Sequence, residues 1–165
     1  MIIIFIIFVG ILLYYLIKTK EEFSNNFENF NNNFKHPKLI KTCFSDNEIN
    51  SFENYYKFSK IIYGKKSVCY LTPTNVLNDI PIISWNGYYI NNFCVDKKYR
   101  NKGYATELLH KIINNAKKED KDHLILQVGD NNEEAKQLYY RMGFSDYLKG
   151  TDKENNIKLF LVKYL

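Results

Sequence analysis

The most chemically informative residues form the hexapeptide Arg100-Asn101-Lys102-Gly103-Tyr104-Ala105, which lies between a predicted strand and a predicted helix. The first turn of a helix has unpaired backbone N–H groups and a partial positive charge, so a glycine-containing turn there can hold a phosphate group. Gly103 would let the backbone approach such a ligand closely. Four cationic side chains within six residues would suit a ligand with several phosphates: Lys97, Lys98, Arg100 and Lys102. A solvated basic loop is the alternative interpretation, since one glycine with several lysines is a weak motif.

The elements around this loop are predicted in the order strand, loop, helix, strand. The first strand is Tyr88–Val95, and the charged run Lys117–Asp122 is a turn before the second strand, His123–Val128. This second run is almost continuously apolar, which is typical of a central strand reached by a helical crossover. Between the strands, apolar residues recur at helical spacing: Ala105, Leu108, Leu109, Ile112, Ile113 and Ala116.

A second helix is predicted after Asn131–Glu134, where Asx residues and acids are typical of a helix start. Gly143 stands where a left-handed cap would end it. Phe144–Tyr147 and Ile157–Tyr164 are predicted strands, with Lys149–Asn156 as the turn between them. The buried face of this helix would carry Ala135, Leu138, Tyr139 and Met142.

Two segments in this order resemble motifs of the GNAT superfamily of N-acetyltransferases. Phe93–Ala105 is similar to the family's acetyl-CoA motif, in which a strand runs into Arg/Gln-x-x-Gly-x-Gly/Ala. Asn132–Phe144 is similar to its second motif, Asn-x-x-Ala-x-x-Leu-Tyr-x-x-x-Gly-Phe. The resemblance covers Tyr88–Leu165 and is loose upstream.

The resemblance implies an α/β fold, with a mixed sheet of six or seven strands and helices on both faces. Acetyl-CoA would lie, without any metal, where the parallel strands Tyr88–Val95 and His123–Val128 splay apart. Backbone groups of Phe93 and Val95 would pair with the pantetheine arm, and amides of the Arg100–Ala105 loop would hold the pyrophosphate. The cofactor-binding residues implied are Phe93, Cys94, Val95, Arg100, Asn101, Lys102, Gly103, Tyr104, Ala105 and Asn132.

The implied reaction is direct attack of a primary amine on the thioester in a ternary complex. Tyr139 matches the family's tyrosine, which protonates the departing thiolate as general acid; as a lone residue it would be a core side chain. The general base is not assigned, because neither cleft strand contains a carboxylate. A water held by Asn92, the carboxylate of Asp79, His123 (otherwise a strand-end surface residue) and an amine of low pKa remain open.

Composition limits the other classes of function. The 165 residues suit one domain, and the net charge of +5 falls largely on the proposed phosphate loop. No basic stripe with interleaved aromatic residues is present, so nucleic-acid binding is not expected. The cysteines are scattered and odd in number, which predicts neither a metal site nor a disulfide framework and favours a reducing compartment: Cys43, Cys69 and Cys94. In Cys94 we expect a small strand filler rather than a nucleophile.

The N-terminus predicts a membrane anchor. Ile2–Ile17 is uncharged and would span about 24 Å as a helix, against a hydrocarbon core of roughly 30 Å. A cleaved signal peptide is the alternative, but neither a basic region nor a small-residue cleavage site flanks the run. Because Lys18 and Lys20 follow it, the positive-inside rule places a single-pass protein with its catalytic domain in the cytosol.

Three regions are therefore predicted: a transmembrane helix at 1–18, an Asn- and Phe-rich juxtamembrane linker at 19–36, and the GNAT-like domain at 37–165. The phenylalanines of the linker recur at helical spacing, but a tether is favoured over an amphipathic helix. Within the domain, the upstream elements are predicted as a strand at Leu39–Phe44, a helix at Asn47–Ile62, strands at Ser67–Leu71 and Ile80–Trp85, and an irregular, substrate-facing connection at Thr72–Asp79.

The sequence thus predicts a membrane-tethered, acetyl-CoA-dependent N-acetyltransferase. A catalytically silent acyl-CoA-binding or interaction module is one alternative, and a basic domain that holds anionic lipid or nucleic acid is another. The sequence does not name the acceptor amine.

Overall fold

The computed structural model describes residues 37–45, 59–77, 83–151 and 155–165, all within the unit His36–Leu165. The predicted anchor and linker at 1–36 lie outside these ranges. Among the described residues, no helix is both long and apolar enough to cross a bilayer. The elements in chain order are α1 (Pro37–Cys43), β1 (Lys60–Tyr63), β2 (Ser67–Pro73), β3 (Gly87–Val95), α2 (Tyr104–Lys118), β4 (His123–Gly129), α3 (Glu133–Arg141), β5 (Ser145–Thr151) and β6 (Ile157–Tyr164), with short 3-10 turns at Thr74–Val76 and Lys97–Tyr99.

The described strands form one six-stranded sheet in the order β1-β2-β3-β4-β6-β5. Only β3 and β4 pair in parallel among them; every other neighbouring pair is antiparallel. The parallel pair is joined through α2, as a parallel connection requires a crossover. The predicted α/β mixed sheet is confirmed.

Two hydrophobic clusters cover opposite faces of this sheet. Ile61, Val68 and Tyr70 belong to the smaller cluster, to which α1 contributes, whereas the intervening Ile62 and Cys69 belong to the larger one. Because alternate side chains of a strand point to opposite faces, the two clusters lie on either side of the sheet.

The helix α2 is the main helical contribution to the larger cluster. Leu108, Leu109 and Ile112 are fully buried, and Ala116 closes the same stripe. Burial of a Leu or Ile side chain contributes about 1.5–3 kcal/mol, so this stripe anchors the helix that follows the Arg100–Ala105 loop. The helix predicted from near Tyr104 is confirmed.

The upstream predictions are partly wrong. Leu39–Phe44 was expected to be a strand, but Pro37–Cys43 is helical: proline suits a first helical position, and the Phe44 N–H donates to the Ile40 carbonyl at 2.8 Å. The end of the predicted helix Asn47–Ile62 is strand β1, whose residues pair with β2; its residues 47–58 lie outside the described ranges.

Two further strand boundaries differ from the predictions. Residues 83–85 of the expected strand Ile80–Trp85 are irregular, and 80–82 lie outside the described ranges. β5 runs on to Thr151, into the expected turn Lys149–Asn156, because it stays paired with β6 as far as Thr151 and Ile157. As an exposed edge strand, β5 lacks the alternation of apolar residues that would have indicated its length.

Candidate cofactor site

The cleft begins where β3 and β4 stop pairing. Their parallel register ends at Ile90 and Leu126, although β3 continues to Val95 and β4 to Gly129. Beyond that point the backbone groups of the two strands no longer pair with each other. Such groups can bind an extended ligand as an added strand would.

A bulge in β3 accompanies the separation. Val68 pairs with Cys94 but Tyr70 pairs with Asn91, so β3 contains one residue more than β2 over this stretch. Asn92 has a φ of 45°, in the left-handed region that Asn tolerates better than most residues. The bulge bends β3 at the mouth of the cleft, and no feature of the sequence pattern predicted it.

The loop after β3 presents the start of α2 to the same cleft. Asp96 caps the 3-10 turn by accepting from the Lys98 N–H, and the Arg100 Nε donates to the Val95 carbonyl at 3.3 Å. Gly103, with a φ of 84°, precedes the first helical residue, and no side chain caps the helix. The amides of the first turn are therefore available to an anionic ligand.

A cavity of about 880 Å³ lies between these elements. It brings together all but one of the predicted site residues: Phe93, Cys94, Val95, Arg100, Asn101, Gly103, Tyr104, Ala105, Asn132 and Tyr139. Lys102 does not line the cavity; its ammonium lies 5.6 Å from the ring centroid of Tyr99. No cluster of potential metal ligands is present in the described ranges.

Tyr139 is buried and lines this cavity. Its ring meets those of Phe93 and Phe144 edge to face, with centroids 6.2 and 5.8 Å away. Burial, with a smaller contribution from Cys69, raises the pKa of the Tyr139 hydroxyl well above its usual range. The hydroxyl is therefore a neutral hydrogen-bond donor across the physiological pH range.

Asn132 has a structural role that is visible in the structure. Its side-chain oxygen accepts from the Ala135 N–H at 3.2 Å and so caps α3. It also lines the cavity, so the helix cap and the predicted cofactor contact are compatible.

His123 does not lie at the cavity. It is fully buried at the far end of β4, where its Nδ1 pairs with Asp122 and its ring lies against Gly87. The expectation of a surface residue is wrong. Gly87, on the neighbouring strand β3, has no side chain, and this leaves room for the imidazole. Asn92 does line the cavity, Asp79 lies outside the described ranges, and the carboxylate among the described lining residues is Glu134.

Cys43 and Cys94 form a disulfide, with Cα atoms 5.9 Å apart, so the expectation that the cysteines make no disulfide is wrong. The expectation failed because 51 residues separate them and Cys43 was assigned to a strand rather than to α1. Both line the cavity, whereas Cys69 is a buried free thiol.

Sequence reasoning also missed several lining residues. Phe44 was hidden by the wrong strand assignment of its segment. Gln127 is the exposed polar residue in an otherwise buried strand, and that interruption was a usable signal. Arg141 adds a second arginine to the wall, but nothing distinguished it from an ordinary cation in the last turn of a helix.

Known protein sequences are similar to the part of the chain that forms this cavity. Residues 75–144 match the sequence model of the acetyltransferase (GNAT) family. Streptothricin acetyltransferase A of Bacillus subtilis (strain 168) is 40% identical over 83 residues, which make up 49% of this chain and 48% of that protein. The chain thus spans about half the length of the curated relative that it matches.

Solved structures share the fold. A Bacillus subtilis acetyltransferase in complex with CoA has a TM-score of 0.60 at 18% identity, over 73% of this chain and 86% of that one. A GNAT family acetyltransferase from Elizabethkingia anophelis with acetyl-CoA bound has a TM-score of 0.55 at 17% identity, over 77% and 88%. The family-model match spans β3, the Arg100–Ala105 loop, α2, β4 and α3, so this part of the chain is similar in sequence to GNAT acetyltransferases and shares their fold.

Proposed function

We propose that this protein transfers the acetyl group of acetyl-CoA to a primary amine. The observation that carries the proposal is the separation of β3 from β4 beyond Ile90 and Leu126, which opens onto the uncapped start of α2. One cleft therefore offers the edges of two strands that no longer pair with each other for an extended arm, and helix amides for phosphates. The relatives crystallised with CoA or acetyl-CoA support this choice of ligand.

The cofactor would lie along β3. Backbone groups of Phe93 and Val95 would pair with the pantetheine arm, and the Arg100–Ala105 loop would surround the pyrophosphate. Ala105 is a small residue in the first turn of α2, so the helix backbone can approach the phosphates. Arg100 lines the cavity as a cation on the same loop.

Tyr139 would act as the general acid. When the amine attacks the thioester carbonyl, the C–S bond breaks and the CoA thiolate needs a proton. The Tyr139 hydroxyl is neutral at pH 7, so it carries a proton that it can donate. Phe93 and Phe144 fix the ring on two sides.

We assign no side chain as the base. β3 contributes Asn92 rather than a carboxylate to the cavity, so the amine proton would leave through a water that Asn92 holds, or the amine would bind already neutral. Glu134 stands in the first turn of α3, beside the motif that would contact the cofactor, and we give it no part in deprotonation.

A catalytically silent acyl-CoA-binding protein is the second candidate. The observation in its favour is the lack of a carboxylate on the cleft strands β3 and β4. Both candidates predict acetyl-CoA binding, and only the first predicts release of free CoA when an amine is added.

The predicted anchor at residues 2–17 leads us to propose that the domain is tethered to a membrane and, by the positive-inside rule, faces the cytosol, although the Cys43–Cys94 disulfide is more typical of an oxidising compartment. Resistance of the full chain to alkaline extraction from membranes, with protease access to the domain from the cytosolic side, is the expected result. Extraction into the soluble fraction would contradict the tether without affecting the proposed reaction.

The decisive experiment is a calorimetric titration of the full chain with acetyl-CoA, beside Ala105→Glu and the milder Ala105→Gly. We expect micromolar binding that Ala105→Gly retains and Ala105→Glu loses, because the longer acidic side chain meets the phosphates sterically and electrostatically. Release of free thiol would then be screened with peptide N-termini, lysines, polyamines, amino sugars and streptothricin. A folded protein that binds no acetyl-CoA would contradict both candidates.

A further inference from the structure

The Cys43–Cys94 disulfide lies in the wall of the cavity that we assign to the cofactor. We propose that it is a thiol-exchange site for free coenzyme A, the thiol that acetyl transfer releases. This inference rests on the proposed function, because it requires the coenzyme to occupy that cavity.

The position of the disulfide makes the exchange feasible. Cys94 stands between Phe93 and Val95, the two residues expected to pair with the pantetheine arm. Its partner Cys43 is the last residue of α1, so the bond ties that helix to the bulged part of β3. Both cysteines are half-buried and line the cavity, so the bond faces the space that the coenzyme would occupy.

The chemistry is balanced without an added oxidant. The thiolate of coenzyme A attacks the Sγ of Cys94, a new S–S bond forms, and the Cys43–Cys94 bond breaks. The Cys43 sulfur leaves as a thiolate and takes up the proton that the coenzyme thiol lost. The products are a Cys94–coenzyme A mixed disulfide and a free Cys43 thiol.

The cavity would make this exchange selective. A ligand held by the phosphate loop has its thiol at a high effective concentration beside the disulfide, whereas a thiol without the nucleotide meets the bond only from bulk solvent. Cys69 cannot take part, because it is fully buried and desolvation raises the pKa of its thiol well above the usual range.

The exchange would couple the site to the ratio of coenzyme A to acetyl-CoA. Acetyl-CoA fills the same cavity, but its sulfur is acylated and cannot attack. It therefore protects the disulfide, whereas accumulated product modifies it. The mixed disulfide leaves a coenzyme in the cavity and blocks the next acetyl-CoA.

The test uses the full chain in mild detergent, with its disulfide verified by non-reducing peptide mapping. The protein is incubated with coenzyme A, with pantetheine at the same concentration, or with coenzyme A plus excess acetyl-CoA, and adducts are followed by intact mass. We expect coenzyme A to add to Cys94 at least about tenfold faster than pantetheine adds. We also expect acetyl-CoA to suppress the addition.

Two variants sharpen the result. Ala105→Glu should reduce the rate with coenzyme A to that with pantetheine, and Cys69→Ala should leave both rates unchanged. Equal rates for the two thiols in the wild type, an adduct on another cysteine, or absence of the disulfide would overturn the inference. If the wild type binds acetyl-CoA normally but forms no adduct with coenzyme A, only the thiol-exchange inference is overturned. If the wild type does not bind acetyl-CoA, the proposed function is overturned as well.

Discussion

The two ends of the β3–β4 pair differ: the end near Val95 is open, and the end near Gly87 is closed. At the end near Val95 the strands separate around a cavity, beside the bulge of β3 and the start of α2, which no side chain caps. At the end near Gly87 the same strands are closed: the His123 ring lies against Gly87, and the Asp122 N–H donates to the Asn86 carbonyl at 3.1 Å.

Polar contacts reinforce the closed end. Ser84 donates to the Asp122 carboxylate at 2.6 Å, and the Glu119 carboxylate joins Lys60 to Tyr88 across three elements. The comparison indicates that the two ends of these strands have different roles. Packing and hydrogen bonds at one end hold the register, so the other end can leave hydrogen-bonding groups for a ligand without loss of the fold.

The largest effect is expected from Tyr139→Phe, which changes only the chemistry of the open end. Removal of the hydroxyl should lower kcat by roughly 10²–10³-fold, since a positioned proton donor contributes on that scale. The affinity for acetyl-CoA should stay within about twofold by calorimetry. Loss of binding together with turnover would mean that Tyr139 is structural, and unchanged turnover would remove it from the mechanism.

Gly87→Ala should instead destabilise the fold at the closed end. A Cβ at this position would lie 2.2 Å from the His123 ring, which is fully buried and cannot move aside. We expect a loss of about 3 kcal/mol in the free energy of unfolding in urea, as for overpacked cores. Gly150→Ala is the matched control, because a Cβ there meets nothing within 4 Å. Equal stabilities of the two variants would contradict the packing argument.

Gly103→Ala tests the backbone conformation at the open end, at the residue before α2. No atom lies within 4 Å of the added Cβ, so the cost of about 1 kcal/mol comes from the φ of 84° alone. Thermal denaturation should show a smaller loss for Gly103→Asn, because Asn tolerates this conformation better than Ala. A loss as large as that of Gly87→Ala would indicate a contact that the structure does not contain.

The smallest effect is expected from Glu119→Gln at the closed end. Burial alone would raise the pKa of Glu119, but hydrogen bonds from Lys60 and Tyr88 and the charges of Lys60 and Lys121 lower it below 4.5. A carboxyl with a lowered folded-state pKa stabilises the fold above pH 4.5 and loses that contribution as the pH falls through its folded-state pKa.

Because the Glu119 side chain is 42% exposed, the contribution is about 0.5 kcal/mol. Glu119→Gln should therefore lower stability at pH 7 by that amount and flatten the acid limb of the stability profile. A double-mutant cycle with Lys60→Met would isolate the ion pair. An unchanged acid limb would contradict the assignment.

The fold could be predicted from sequence where periodicity is strong. The apolar stripe of α2 fits only a helix, and the continuous apolar run of β4 fits a buried strand. The bounds of both elements were predicted within one or two residues. Pro37–Cys43 is too short for its period to separate helix from strand. Most of β1 was included in the predicted helix Asn47–Ile62, because Ile62 lies three residues after Ser59 and continues the helical spacing. In such segments tertiary pairing decides.

The candidate site could be predicted where it lies on local motifs. The loop from Arg100 to Ala105 and the helix with Asn132 and Tyr139 each carry their signal within a few residues. The Cys43–Cys94 bond, the place of Phe44 in the wall and the burial of His123 depend on contacts between distant segments. Neither spacing nor composition contains that information.

The extra residue at the bulge of β3 has a consequence for how this domain can change. Tyr88 and Ile90 belong to the larger cluster, and so does Phe93, so the inward-facing positions switch from even to odd numbers at the bulge. Deletion of Asn92 would restore uniform parity and let the pairing with β2 run on unbroken. Deletion of one codon would therefore remove the bend of β3 beside the cleft, whereas a substitution at Asn92 leaves the extra residue in place.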